Sequence, residues 1–296
     1  MGLIMAQGIR HMAIGLQSSG KTTFAAALWY LVDSKEVPTL LSKGAHTGDF
    51  AYLETIATEW ADGWQVPRTG TGQHENIRMN LKDQLTGQDV HLQFVDLPGE
   101  SYERAFATRF LGNNVVEAFE EATGLMLFVS ADQPRDDVTL LDLAKMLQEN
   151  ADEDKLLEEA MAEATFDPAK TPRQVQIVDF LQSIQDEPLY LGVERVAVII
   201  SAWDKVVAGT EPEAWLKEKL PLLNQYLGNL DAEVRIYGVS AQGGDLPDKK
   251  KGGREVERKA LLSFAKATER IKVVGNGAGQ HDLTHPVRWL SSLEGA

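Results

Sequence analysis

Gly15-Leu16-Gln17-Ser18-Ser19-Gly20-Lys21-Thr22 constrains this chain more than any other stretch, because it fits G-x-x-x-x-G-K-[ST]. The glycines let the backbone wrap so closely that several N–H groups face one anion. The flanks agree with that use. His11-Met12-Ala13-Ile14 reads as a short buried strand, and Lys21 to Asp33 reads as a helix favoured by Ala25, Ala26, Ala27, Leu28 and Leu31. Strand, loop and helix in this order bring a phosphate chain to a helix N-terminus. Gly15, Gln17, Ser18, Ser19, Gly20, Lys21, Thr22 and Thr23 are therefore candidate contacts to a nucleoside triphosphate. Lys21 reaches toward the β- and γ-phosphates, and the Thr22 hydroxyl is a candidate Mg²⁺ ligand.

Further strands end in residues that suit the same site. His91 to Asp96 alternates in polarity up to an acid and runs into Leu97-Pro98-Gly99-Glu100. Beside a phosphate loop, Asp96 at a strand's carboxyl end holds Mg²⁺ through water, and the Gly99 amide contacts the γ-phosphate. Without the loop upstream, the segment is an ordinary strand and Pro-Gly turn. Val196 to Ile200 is a continuous apolar run, as in a parallel strand buried on both faces, and Ser201-Ala202-Trp203-Asp204-Lys205 follows it. Ala232 to Val239 reads as another strand, ending in Ser240-Ala241-Gln242, and Gly124 to Ser130 as one more. Glu75–Leu81 is expected to run antiparallel, joined to His91–Asp96 by a turn near Thr86-Gly87-Gln88. The predicted fold is a three-layer α/β P-loop domain: a mostly parallel sheet with one antiparallel strand, helices on both faces, and the nucleotide at the strands' carboxyl ends.

A length of 296 residues suits one such domain over 1–296, with a helical insertion at about 135–190 and a C-terminal extension at 276–296. Within the insertion, Leu140, Leu141, Leu143, Ala144 and Leu147 suggest one amphipathic helix, and Val175, Ile177, Val178, Phe180, Leu181 and Ile184 a second. A helix from Glu255 to Ile271 is expected to close the core, and Thr284–Leu290 to dock back onto it. The basic run Pro247–Arg254 reads as a solvated, glycine-bounded loop near the base end of the nucleotide. A net charge of −15 argues against broad nucleic-acid binding, so an anionic ligand needs a locally positive site. The absence of cysteine excludes disulfides and thiolate zinc sites. The apolar runs are far short of the ~20 residues of a membrane span, and the start has no secretory pattern, so a cytoplasmic location is expected.

These motifs follow the order found in P-loop GTPases of the translation-factor and Ras-like (TRAFAC) class, which the chain resembles over most of residues 8–275. More narrowly, Asp96-Leu97-Pro98-Gly99-Glu100, Ser201-Ala202-Trp203-Asp204 and the long insertion resemble the bacterial double-GTPase family, inferred to act in multi-component conflict or defence systems. The resemblance implies GTP as substrate, GDP as product, Mg²⁺ as cofactor and a protein effector or activating partner. It implies that Asp204 accepts hydrogen bonds from guanine N1 and N2, and that Ser240 and Ala241 bring a backbone N–H to O6. Ala202 stands where a lysine stem stacks on the base in such GTPases, leaving Trp203 or Lys205 to supply that packing. A threonine of the first switch should close over Mg²⁺ and the γ-phosphate; Thr69 is the first choice, then Thr71 and Thr47. Glu100 replaces the glutamine that orients the attacking water in many relatives. A carboxylate accepts from water but is repelled by the γ-phosphate, so slow hydrolysis stimulated by a partner is expected. Lys21, Thr69 and Glu100 form the expected catalytic set, with Arg68, Arg104 and Arg109 as candidate sources of stabilising charge. Two alternatives stay open: an ATP-using P-loop enzyme, suggested by Ala202, and a non-catalytic nucleotide-holding interaction protein, suggested by Glu100.

Overall fold

Alternation inside the apolar strands divides this chain into layers. The computed structural model describes residues 8–45, 49–66, 76–95, 108, 116–117, 119, 122–133, 171–186, 190 and 192–293. Among them, eight strands form one sheet: β1 (Ile9–Gly15), β2 (Leu41–Lys43), β3 (Asn76–Asp83), β4 (Asp89–Val95), β5 (Gly124–Ser130), β6 (Arg195–Ser201), β7 (Glu233–Ser240) and β8 (Lys272–Val274). Their order is β2-β3-β4-β1-β5-β6-β7-β8. β4, β1, β5, β6 and β7 pair in parallel. β3 runs antiparallel between β2 and β4, as the sequence predicts, and a second reversed strand, β8, borders β7 at the other edge.

Successive side chains of a strand point to opposite faces. Ala13, Met126, Phe128, Ala197 and Ile199 therefore enter one core, with helices α1 (Lys21–Ser34) and α2 (Phe50–Ala61). Met12, Ile14, Leu125, Leu127, Val198 and Ile200 enter the other, against α3 (Arg173–Gln185), α4 (Pro212–Lys219) and α5 (Pro221–Leu227). Full burial of such aliphatic side chains contributes about 1.5–3 kcal/mol each. The apolar stripe predicted at Val175–Ile184 is thus the helix described between β5 and β6, packed into the core through Ile177, Phe180, Leu181 and Ile184. The first helix expected in the insertion, over Leu140–Leu147, lies outside the described residues.

Two segments need tertiary contacts to explain them. The helix expected from Glu255 to Ile271 ends as α6 (Glu255–Leu262), and Ala267–Arg270 forms a separate 3-10 turn. Ser263 Oγ donates to Ala260 O at 2.6 Å. Glu36 then captures Thr268, accepting from its N–H at 3.0 Å and its hydroxyl at 2.8 Å. These bonds compete with helix continuation. They also carry Arg270 inside, where its guanidinium donates to Trp60 O at 2.9 Å and stacks 4.3 Å from the Trp60 ring. Helix α7 (Thr284–Leu290) docks as expected, burying Val287, Trp289 and Leu290. Arg288 of this helix donates to buried Asp83 at 2.8 Å, and Asp83 in turn holds the β3–β4 turn through Thr86.

Candidate functional site

β1 lies between β4 and β5, where the chain's crossovers diverge, and its carboxyl end opens into the loop Gly15–Gly20. Ligand crevices of parallel sheets form at such switch points. The loop's glycines are required by contact and by backbone. A Cβ on Gly15 would lie 2.5 Å from Phe128 O. Gly20, at φ 92°, precedes α1, and a Cβ there would meet Ser201 at 2.8 Å. Packing thus presses the phosphate loop directly against the first residue of the Ser201–Lys205 element.

Lys21 begins α1 and is buried, 4% exposed, with its ammonium donating to Gly15 O at 2.7 Å and Leu16 O at 3.1 Å. The next residues, Thr22 and Thr23, line the same cleft as Gln17, Ser18, Ser19 and Gly20. The cleft has a volume of about 500 Å³. Its other end is formed by Asp204, Lys205, Ser240 and Ala241, so all the described site residues predicted from sequence meet there, apart from Gly15, which braces the loop from behind. Ser240 Oγ donates to Asp204 Oδ1 and accepts from the Gly243 N–H at 3.1 Å, which fixes one carboxylate oxygen. Thr69, Asp96, Gly99 and Glu100 lie outside the described residues, as do Thr47, Thr71, Arg68, Arg104 and Arg109. β4 ends at Val95, one residue before Asp96.

Trp203 does not supply packing for a base. It is 8% exposed and belongs to the core against α4, with its ring 6.4 Å from that of Trp215. Gly238 of β7 makes room for it, since a Cβ there would fall 2.3 Å from the indole. Lys205, on the same turn, does face the cleft. Its ammonium donates to Asp245 at 2.7 Å, a bond that holds the lysine pKa above and the Asp245 pKa below their ordinary values.

Several cleft residues carry no sequence motif: Gln65 and Val66 beyond α2, and Asp245, Leu246 and Arg254 beyond β7. The α2 tail reaches the cleft because Trp60 Nε1 donates to Ala241 O at 3.0 Å and the Gln65 N–H to Pro247 O at 2.9 Å. The basic run is solvated from Lys249 to Arg254, as its sequence reads, and Arg254 has a further role. Lys250, Lys251 and Arg254 are all exposed, and Arg254 also pairs with Asp245 at 2.7 Å and lines the cleft. The signal was present as a glycine pair, Gly252-Gly253, directly before a cation. Among the described residues, no group of three or more acidic or histidine side chains is placed to hold a metal ion. No described helix is long and apolar enough to cross a membrane.

Among solved structures, the chain is similar to a bacterial selenocysteine-specific elongation factor, EF-Sec, at 15% identity and a TM-score of 0.35, over 80% of this chain and 27% of that one. It is also similar to the signal recognition particle receptor SRb-GTP/SRX complex of Chaetomium thermophilum, at 15% identity and a TM-score of 0.38, over 86% and 98%. The chain thus spans about a quarter of the elongation factor's length. No curated protein matches it. The family Double-GTPase 1 matches residues 12–290, nearly the whole parallel core and both ends of the cleft, and the chain belongs to that family of GTP-binding proteins.

Proposed function

We propose that this chain is a guanine-nucleotide switch that hydrolyses GTP slowly, with Mg²⁺, under the control of a protein partner. The observation that supports this reading is the single cleft of about 500 Å³ shared by Lys21, Thr22, Asp204 and Ser240. Asp204 Oδ2 is left to accept from the guanine N1–H and exocyclic amine while Ser240 holds Oδ1. Lys21 exchanges its loop carbonyls for β- and γ-phosphate oxygens, which carry full charge and so bind an ammonium more strongly. The donors fit magnesium: the Thr22 hydroxyl lines the cleft, and Asp96 follows the end of the neighbouring strand, both hard oxygen ligands. The ion, when bound, neutralises charge developing on the phosphates. Thr69 closes over the γ-phosphate, the Gly99 amide contacts it, and Glu100 orients the water that attacks in line. Repulsion between Glu100 and the phosphate keeps this step slow until a partner brings a cation. Residues 1–296 form one domain in this reading, carrying the insertion at about 135–190 and the extension at 276–296. The protein works in the cytoplasm, as one component of a bacterial conflict or defence system.

Phosphate release from GTP tests the chemistry, measured with Mg²⁺ and with a chelator, for the wild type and Lys21→Ala. Slow, Mg²⁺-dependent release lost in the variant is expected. Binding without release, alone or with the products of neighbouring genes, would mark a nucleotide-holding interaction protein, the reading Glu100 favours. Hydrogen exchange of residues 68–72 and 97–105 tests the switch, with stronger protection expected under a GTP analogue than under GDP. For the biological role, cells carrying the gene and its neighbours should lose protection against phage on Lys21→Ala; undiminished protection overturns it.

A further inference from the structure

Three charged side chains meet at the base end of the cleft without belonging to any one motif: Lys205, Asp245 and Arg254. The Lys205 ammonium and Arg254 Nη1 both lie 2.7 Å from the same oxygen, Asp245 Oδ2. Two cations share one carboxylate, and Asp132 and Asp204 also act on Lys205, so the pair of cations stands among acids lining the same cleft. A single anionic oxygen cannot satisfy the donors of both, which leaves guanidinium N–H groups for another acceptor.

The backbone delivers Arg254 at a conformational cost. Gly252, Gly253 and Arg254 follow one another at φ 68°, 87° and 51°. A Cβ on either glycine would meet nothing within 4 Å, so they serve the backbone turn and not the packing. Asp248 closes the other end of the loop, its carbonyl accepting from the Gly252 N–H at 2.8 Å and its carboxylate from the Lys250 N–H at 2.8 Å. A non-glycine residue in the left-handed region is strained, and such strain persists where the surroundings hold it. Here it aims a cation at the cleft. Ala202, left-handed as well at φ 54°, has no side chain long enough to cover a base, and the 3-10 turn Trp203–Lys205 supplies Lys205 three residues later.

We infer that Lys205 and Arg254, latched together by Asp245, form a cationic clasp on the guanine base. The clasp replaces the aliphatic cover missing at Ala202. A guanidinium and an ammonium are attracted to the electron-rich face of a purine, and guanine O6 and N7 are the acceptors an arginine pairs with in bidentate fashion. Asp245 is a positioning residue, keeping both cations in place before the nucleotide arrives. The clasp rests on the proposal that the base lies at Asp204.

Calorimetry on the full chain with GDP, a non-hydrolysable GTP analogue and inorganic tripolyphosphate tests it. Arg254→Ala should weaken GDP and the GTP analogue equally, by about tenfold. Tripolyphosphate, which has no base, should bind as to the wild type. Arg254→Lys should recover part of the loss, and Asp245→Asn should weaken GDP several-fold without changing tripolyphosphate binding. GDP affinity unaltered in Arg254→Ala overturns the clasp. So does a proportionate loss of GDP and tripolyphosphate, which would reveal only a general electrostatic effect. A wild type with no preference for guanine removes both this inference and the reading beneath it, whereas guanine preference with an indifferent Arg254→Ala removes the clasp alone.

Discussion

Lys21 and Asp204 carry the sharpest residue-scale expectations. Lys21 is 4% exposed on a lining of backbone carbonyls, so Lys21→Ala removes one charged donor and leaves the loop's shape to Gly15, Gly20 and α1. We expect a folded variant whose affinity for a GTP analogue falls by roughly 30- to 150-fold, as for loss of a charge-assisted hydrogen bond of about 2–3 kcal/mol. Calorimetry beside a thermal melt checks both halves, and full affinity would refute the role of the loop. Asp204→Asn replaces an acceptor by an amide that both accepts and donates. With Ser240 still on one atom, the variant should lose guanine preference and gain affinity for xanthine nucleotides, measured by competition. These residues were legible because each sits at fixed spacing from a strand end. Asp245 and Arg254 were not, since a salt bridge between the two ends of one loop has no period.

At the scale of elements, base recognition depends on how the turn after β6 seats against β7. Gly238 leaves the space that the Trp203 indole occupies, and Trp215 confines the ring from another side. Gly238→Ala would force the indole outward, carrying with it the neighbouring Asp204. Overpacking of this kind costs about 1–3 kcal/mol. Urea unfolding should show that loss, and GDP affinity should fall more than tripolyphosphate affinity; an unchanged ratio would mean the turn can shift without moving Asp204. Helix α7 offers a second test. Asp83 is fully buried and held below the usual carboxylate range: burial pushes it up, but hydrogen bonds from Thr86 and Arg288 outweigh that. Arg288→Ala strands the carboxylate, at a cost of about 3–5 kcal/mol, and Asp83→Asn in the same chain should restore part of it. Denaturation midpoints of the single and double variants decide the point. The α2 tail shows the same dependence on contact: Trp60 and Gln65 fasten it to the base loop, immediately before the segment expected to hold the first switch.

For the whole molecule, pH reports on the seam between the first strand and the C-terminal segment. His11 on β1 is 1% exposed, and Nε2 lies 2.8 Å from Ser291 Oγ. Ser291 donates its own proton to Val287 O, so His11 Nε2 carries the hydrogen, and Nδ1 is buried without a partner. Burial pushes the His11 pKa down from 6.5 to about 4. The unfolded chain therefore binds this proton first as pH falls. Stability is complete above pH 6.5, declines between about 6.5 and 4, and is lower by about 3 kcal/mol beneath that window. His91, held low by burial and by Arg10, adds in the same direction. The difference between wild type and His11→Gln in urea unfolding, across pH 7.5 to 4.5, isolates the His11 share. Parallel curves would refute it.

The sequence determined on its own what depends on local order and periodicity. Apolar runs at Gly124–Ser130 and Val196–Ile200 could only be buried strands, and a glycine loop between strand and helix could only turn its amides inward. The hairpin near Thr86-Gly87 was legible for the same reason, since its turn chemistry is local. Tertiary structure decided the rest. Trp203 went to the core instead of the base because Gly238, 35 residues further on, left it room. The helix after Glu255 stopped short because Glu36, just beyond the end of α1, took Thr268. Arg254 lines the cleft while paired with Asp245. For Trp203 and for the helix after Glu255 the deciding partner lies on another element, and a contact across such a separation leaves no spacing to read, because its energy exists only once the layers have packed.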